Sequence, residues 1–306
     1  MTRAAFMLSP QLRLSPKQED LPTMSLISTS DLAARLGDPL VRILDARWYL
    51  DPNKKGIDAF RAGHIRGAFF ADLDQDFAAP GGAPGGPNGR HPFPSAAQAQ
   101  NVIRLFGVRP GIKVVAYDDV AGAMAARVWF VLHAYGFDDC AVLDGGITKW
   151  IAEGREITNQ PPSVSTMTDF VVTPRARTVL TKAEVVAQQP DLLILDARGA
   201  ERYRGDADPI DVRAGHIPGA KNAPYTANLT GGPTPVFKSP SELRAQFVAL
   251  GVDEKTEPVV YCGSGITAAH DILALQLAGF GGRLYGGSWS EWSADPTLPI
   301  ATGDQP

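Results

Sequence analysis

The segment Pro258-Val259-Val260-Tyr261-Cys262-Gly263-Ser264-Gly265-Ile266-Thr267-Ala268-Ala269 runs from a short apolar stretch to a cysteine, then through a loop of small residues. Beyond it, 268–278 reads as a helix that can bury Ile272, Leu273, Leu275 and Leu277. The order is therefore strand, tight loop, helix. Two glycines let successive backbone N–H groups turn inward as an anion-binding nest, and the helix adds its positive N-terminal end. Thiols in such places ionise readily, with pKa values of roughly 3.5–7.5. Cys262 is thus a candidate thiolate nucleophile, and a buried structural cysteine at a strand end is the alternative.

Two chemistries suit this cradle. In the cysteine phosphatases an arginine six residues after the cysteine closes the loop on a phosphate. That position is Ala268 here, and no arginine lies between Cys262 and Gly282, so phosphoryl transfer lacks its charge clamp. Sulfur transfer through a persulfide needs only backbone donors. Cys262-Gly263-Ser264-Gly265-Ile266-Thr267 resembles the active loop of the rhodanese-type sulfurtransferases, most closely the 3-mercaptopyruvate branch. Thiosulfate-preferring members usually carry basic residues in this loop, and this loop has none.

Internal repetition supports the resemblance. Asp45-Ala46-Arg47 returns as Asp196-Ala197-Arg198, and Gly63-His64-Ile65 returns as Gly215-His216-Ile217. Gly145-Gly146 before Trp150 matches Gly286-Gly287 before Trp292. Short apolar runs alternate with helical patterns in both halves. The expected fold is therefore α/β: tandem rhodanese-like domains, each a mainly parallel sheet flanked by helices. The expected boundaries are an unstructured extension over 1–23, with Met24 as a candidate natural start, then a first domain over 24–155, a linker over 156–176 and a second domain over 177–306. A helix over 31–36 is expected, capped by Thr29 or Ser30.

A duplicated chain is its own control. Features kept in both halves read as scaffold: Asp45 and Asp196, Trp150 and Trp292, and His64 and His216 as histidines fixing a turn after a strand. Cys262 is matched by Asp118, and aspartate cannot carry sulfane sulfur, so the first domain is expected to be inactive in transfer and to wall a cleft. Cys140 reads as a buried, inert thiol.

The resemblance supplies further roles. It implies that Ser264 works with an aspartate and a histidine of the first domain, which match Asp74 and His91. It implies that Arg202 binds the donor carboxylate and that Gly263, Gly265, Ile266 and Thr267 shape the substrate site. A second family arginine is replaced by Ile210, for which Arg204 or Arg213 is a substitute to consider.

The bulk numbers agree with an enzyme of this kind. The chain has 306 residues, 44% apolar and 20% charged, enough for two packed domains. A net charge of −4 gives no electrostatic footing for nucleic acid or an anionic membrane. No apolar run approaches the ~20 residues of a membrane span. Two cysteines, Cys140 and Cys262, make neither a disulfide framework nor a metal-binding spacing. No metal or cofactor is expected, a reducing cytoplasm suits the thiol, and the expected partners are a small sulfur donor and a thiophilic acceptor such as cyanide, a thiol or thioredoxin.

Overall fold

A computed structural model describes residues 25–163 and 165–306. The expectations for the extension over 1–23 and for Met24 lie outside the described residues. The first domain contains strands β1 (Leu26–Ile27), β2 (Val41–Asp45), β3 (Ala68–Phe70), β4 (Lys113–Tyr117) and β5 (Cys140–Leu143). Its helices are α1 (Thr29–Ala34), α2 (Gly56–Ala62), α3 (Ala96–Leu105), α4 (Ala125–Ala134) and α5 (Gly146–Ala152). The second domain repeats the set with β6 (Val179–Leu180), β7 (Ile194–Asp196), β8 (Ala220–Asn222), β9 (Val259–Tyr261) and β10 (Arg283–Tyr285). Its helices are α6 (Lys182–Gln188), α7 (Ala200–Arg204), α8 (Pro240–Ala249), α9 (Thr267–Leu277) and α10 (Ser288–Trp292).

The two sheets have the same strand order, β1-β5-β4-β2-β3 and β6-β10-β9-β7-β8, and all their pairings are parallel. Alternation along the strands sends residues to two cores. Val115 and Tyr117 pack outward with Leu32, Phe60 and Trp150, and Val259 and Tyr261 pack outward with Val185, Trp289 and Trp292. The opposite faces, carrying Val114 and Ala116 in one sheet and Val260 and Leu284 in the other, share a single apolar core with α4 and α9. Burial of that shared face, at about 25 cal/mol per Å² of apolar surface, holds the domains together.

The repeated motifs are bonded to each other. Arg47 grips Asp45 and donates to the Gly63 carbonyl at 2.7 Å, and Arg198 grips Asp196 and donates to the Gly215 carbonyl at 2.6 Å. His64 and His216 do not follow strands as expected. His64 comes just after α2, His216 comes at the end of the irregular segment after α7, and their ring nitrogens lie 2.8–3.1 Å from carbonyl oxygens that include Gln160 and Gln305 of the segments running past. The first helix is capped by Ser28, not Thr29 or Ser30: the Ser28 hydroxyl accepts from the Asp31 N–H at 3.0 Å, and the helix begins at Thr29, two residues earlier than expected. Among the described residues no helix is long and apolar enough to cross a membrane.

Candidate active site

Cys262 sits where β9 ends. Its side chain is buried, and its sulfur accepts from the Gly265 N–H at 3.1 Å. Gly265 has φ +77, and a Cβ there would meet the Gly286 carbonyl at 2.8 Å, so the loop requires glycine at this point. Ile266 is the N-cap of α9 and makes no side-chain cap bond, which leaves the opening N–H groups of the helix untouched by a side chain. The loop is also pinned from behind: the N–H groups of Trp289 and Ser290 donate to the carbonyls of Cys262 and Gly263, both at 2.9 Å.

The first domain contributes the opposite wall. His91 Nδ1 lies 2.7 Å from the Ser264 hydroxyl, and His91 Nε2 lies 3.0 Å from Asp74 Oδ1. Trp48 Nε1 donates to the other Asp74 oxygen at 2.9 Å, and the Trp48 and His91 rings meet edge to face. The His91 hydrogen bond, helped by Trp48, holds the Asp74 carboxyl below the usual carboxylate range although partial burial opposes it. His91 and Ser264 are buried, whereas the Asp74 side chain is half exposed. A serine, a histidine and a carboxylate thus form one chain leading from the sulfur's neighbour to solvent.

A cleft of about 190 Å³ opens over the sulfur. Cys262, Gly263, Ser264, Ile266 and Thr267 line it from one domain, and Trp48, Met124 and His91 from the other. Gly265 faces the sulfur rather than the cleft. Arg202 and Ile210 also line it. Arg213 does not substitute for the missing arginine: its guanidinium is spent on the carbonyls of Trp292, Ser293, Asp295 and Leu298. Arg204 pairs with Asp206 away from the cleft.

Two arginines had not been anticipated at this site. Arg90 lines the cleft beside His91. Arg127 of α4 is buried behind the Cys262 loop and donates to the Gly265 carbonyl. Arg127 was visible as a lone charge in an otherwise apolar helix, whereas nothing in its glycine- and proline-rich surroundings marked Arg90.

The counterpart loop in the first domain holds no thiol. Asp118 fills its own nest, accepting from the N–H groups of Val120, Gly122, Met124 and Ala125 at 2.7–2.9 Å. Cys140 lies buried in β5, and burial pushes its thiol far above the ordinary range.

Comparison with known proteins agrees with this architecture. The family model described as "Rhodanese-like domain" matches residues 28–153 and again 181–295. The chain belongs to the rhodanese-like family. A Pseudomonas aeruginosa protein named "Probable 3-mercaptopyruvate sulfurtransferase" is 44% identical over 93% of this chain and 100% of its own length. A Mycobacterium tuberculosis protein named "Putative thiosulfate sulfurtransferase SseB" is 40% identical over 91% of this chain and 97% of its own. The solved structure of 3-mercaptopyruvate sulfurtransferase from Leishmania major superposes with a TM-score of 0.77 at 30% identity, covering 88% of this chain and 74% of that one. This rhodanese-like chain is accordingly a sulfurtransferase with two rhodanese-like domains.

Proposed function

We propose that the chain moves sulfane sulfur from 3-mercaptopyruvate to a thiophilic acceptor through a persulfide on Cys262. The thiolate attacks the donor sulfur, a new S–S bond forms, and the C–S bond breaks with its electron pair going to carbon. Pyruvate leaves as its enolate and takes a proton at that carbon. The observation that carries this reading is the Ser264–His91–Asp74 chain beside the sulfur. A proton relay serves a donor whose leaving group is an enolate, while sulfite leaving thiosulfate needs no proton at carbon. Arg202 is the cation for the donor carboxylate, and the backbone of Gly263 and Gly265 with Ile266 and Thr267 shapes the pocket around the transferred sulfur.

In the second half-reaction an acceptor thiol or cyanide attacks the outer sulfur, and the Cys262 thiolate is released. Reduced thioredoxin is an acceptor of the right chemistry, and a reducing cytoplasm is the compartment that keeps Cys262 a thiol. Thiosulfate is the second reading, favoured by the naming of the Mycobacterium tuberculosis relative. The test is the rate of pyruvate release from 3-mercaptopyruvate against thiocyanate formation from thiosulfate and cyanide, together with the mass of the protein after donor addition. A gain of one sulfur that vanishes in Cys262→Ser, with pyruvate release the faster reaction, supports the proposal. Faster thiocyanate formation assigns thiosulfate, and retained turnover in Cys262→Ser removes the nucleophile.

A further inference from the structure

Two guanidinium groups converge over the first glycine of the Cys262 loop, one from each domain. A Cβ on Gly263 would lie 2.5 Å from Arg90 Nη2 and 3.3 Å from Arg202 Nη1. Both arginines are held by one carboxylate. Arg202 Nη2 donates to Asp211 Oδ2 at 2.7 Å, and Arg90 Nη1 donates to Asp211 Oδ1. Asp208 also reaches Arg202 Nη2, at 3.2 Å, and the side chains of both aspartates are fully buried. Arg90 is fixed through its own backbone, whose N–H donates to the Ser290 hydroxyl at 3.1 Å.

Donors remain unspent on this pair. Arg202 Nε is buried without a hydrogen-bond partner. A buried unpaired guanidinium N–H is costly unless something else occupies it. Ile210, in the position where an arginine was expected, lines the same cleft and offers no charge. Arg90, from the other domain, lines the same cleft and does.

We propose that Arg90 and Arg202 together bind the donor carboxylate across the domain interface, with Asp211 as the internal anion that orients both and competes for them. The inference rests on a carboxylate-bearing donor. A carboxylate over Gly263 takes an N–H from each guanidinium, a fork that neither arginine makes alone. Asp211 tunes the affinity: it offsets one of the two positive charges of the pair, and burial raises its carboxyl against the pull of Arg90 and Arg202. The clamp also makes donor recognition depend on both domains, because half of it belongs to each.

The experiment is equilibrium binding of pyruvate, the carboxylate-bearing product, to Cys262→Ser protein by titration calorimetry, with second substitutions at the clamp. Arg90→Ala is expected to weaken pyruvate about tenfold or more, and Arg90→Lys to recover part of the loss. Asp211→Asn keeps the size and a hydrogen-bonding oxygen but removes the competing charge, so it is expected to tighten pyruvate several-fold. The two substitutions should therefore act in opposite directions. Unchanged binding in Arg90→Ala, weakening in both variants, or no binding by the Cys262→Ser parent overturns the clamp. Failure of the donor reading looks different: the active enzyme then releases no pyruvate from 3-mercaptopyruvate while its carboxylate binding still follows these substitutions.

Discussion

Arg127 of the first domain donates from Nη1 to the carbonyl of Gly265 in the second, 3.0 Å away, inside the loop that carries Cys262. The same guanidinium donates to the Phe77 and His91 carbonyls at 3.1 and 3.2 Å. One buried side chain thus fixes the distance between the histidine of one domain and the sulfur loop of the other. Burial lowers its pKa to about 10, and the charge of Cys262 acts in the opposite sense. The guanidinium is also stacked over Phe93, 4.8 Å from the ring centre.

Arg127→Met should therefore cost both stability and turnover. It leaves buried carbonyls unpaired, a loss of about 2–4 kcal/mol in unfolding free energy. Because the loop and His91 lose their common anchor, kcat should fall more than KM rises. Arg127→Lys should recover less than half, since one ammonium cannot reach carbonyls on three segments. Urea unfolding and steady-state kinetics on the same preparations check this, and a Met variant with unchanged kcat would show that the loop holds itself.

Asp118→Ala should be among the most destabilising changes in the first domain. Four backbone N–H groups converge on that carboxylate, and the alanine leaves them buried without an acceptor. The expected loss is at least about 3 kcal/mol. Asp118→Asn should be intermediate, because its amide nitrogen faces donors where an acceptor is needed. Thermal unfolding of the pair orders them. Equal melting temperatures for Ala, Asn and wild type would mean that the nest closes without its anion.

What the chain discloses in order of residues depends on how local the signal is. The Cys262 loop, the Asp45 and Asp196 motifs and the long buried helices are contiguous, so their periodicity and repetition were legible. Strands of two residues, such as Leu26–Ile27 and Val179–Leu180, are too short to show a period and exist because a neighbouring strand pairs with them. Arg90 and Asp211 come from separate domains and meet only in the folded chain. Arg202 was found as a residue, but its two carboxylate partners were not, since Asp208 and Asp211 lie in an irregular segment whose path is set by Arg198 and Arg202 themselves.

Asp76 supplies a pH test of the first-domain wall. Burial raises its carboxyl to about 6, with the charge of Asp72 adding to the rise and hydrogen bonding from the Asp72 N–H at 2.9 Å opposing it. Between pH of about 4 and 6 the unfolded chain has lost this proton and the folded chain has kept it. The contribution of Asp76 to stability is therefore full below about 4, falls as the pH rises to about 6, and is level above. The amount is on the order of 3 kcal/mol. Asp76→Asn does not titrate, so the stability of wild type relative to this variant should decline over that window. A difference that stays flat from pH 4 to 7 would contradict the raised carboxyl.

The last prediction concerns the donor cations in turnover. Arg202→Ala should raise KM for 3-mercaptopyruvate about 10- to 150-fold, the equivalent of roughly 1.5–3 kcal/mol for a lost charge-assisted hydrogen bond. Thiosulfate is also an anion and should weaken less, because it lacks the carboxylate that matches a guanidinium fork. Ile210→Arg is the complementary gain. Ile210 lines the cleft, and its N–H donates to Asp208 at 3.2 Å, so a guanidinium there starts beside two buried carboxylates. A third cation against Asp208 and Asp211 leaves the site with surplus positive charge, which should lower KM for 3-mercaptopyruvate several-fold at unchanged kcat. The two substitutions are read together with thiosulfate as the comparison donor. If Arg202→Ala changes both donors equally, the arginine acts as a general anion site. If it changes neither and Ile210→Arg is silent, the donor carboxylate binds away from Arg202 and the assignment of the cleft's anion site is wrong.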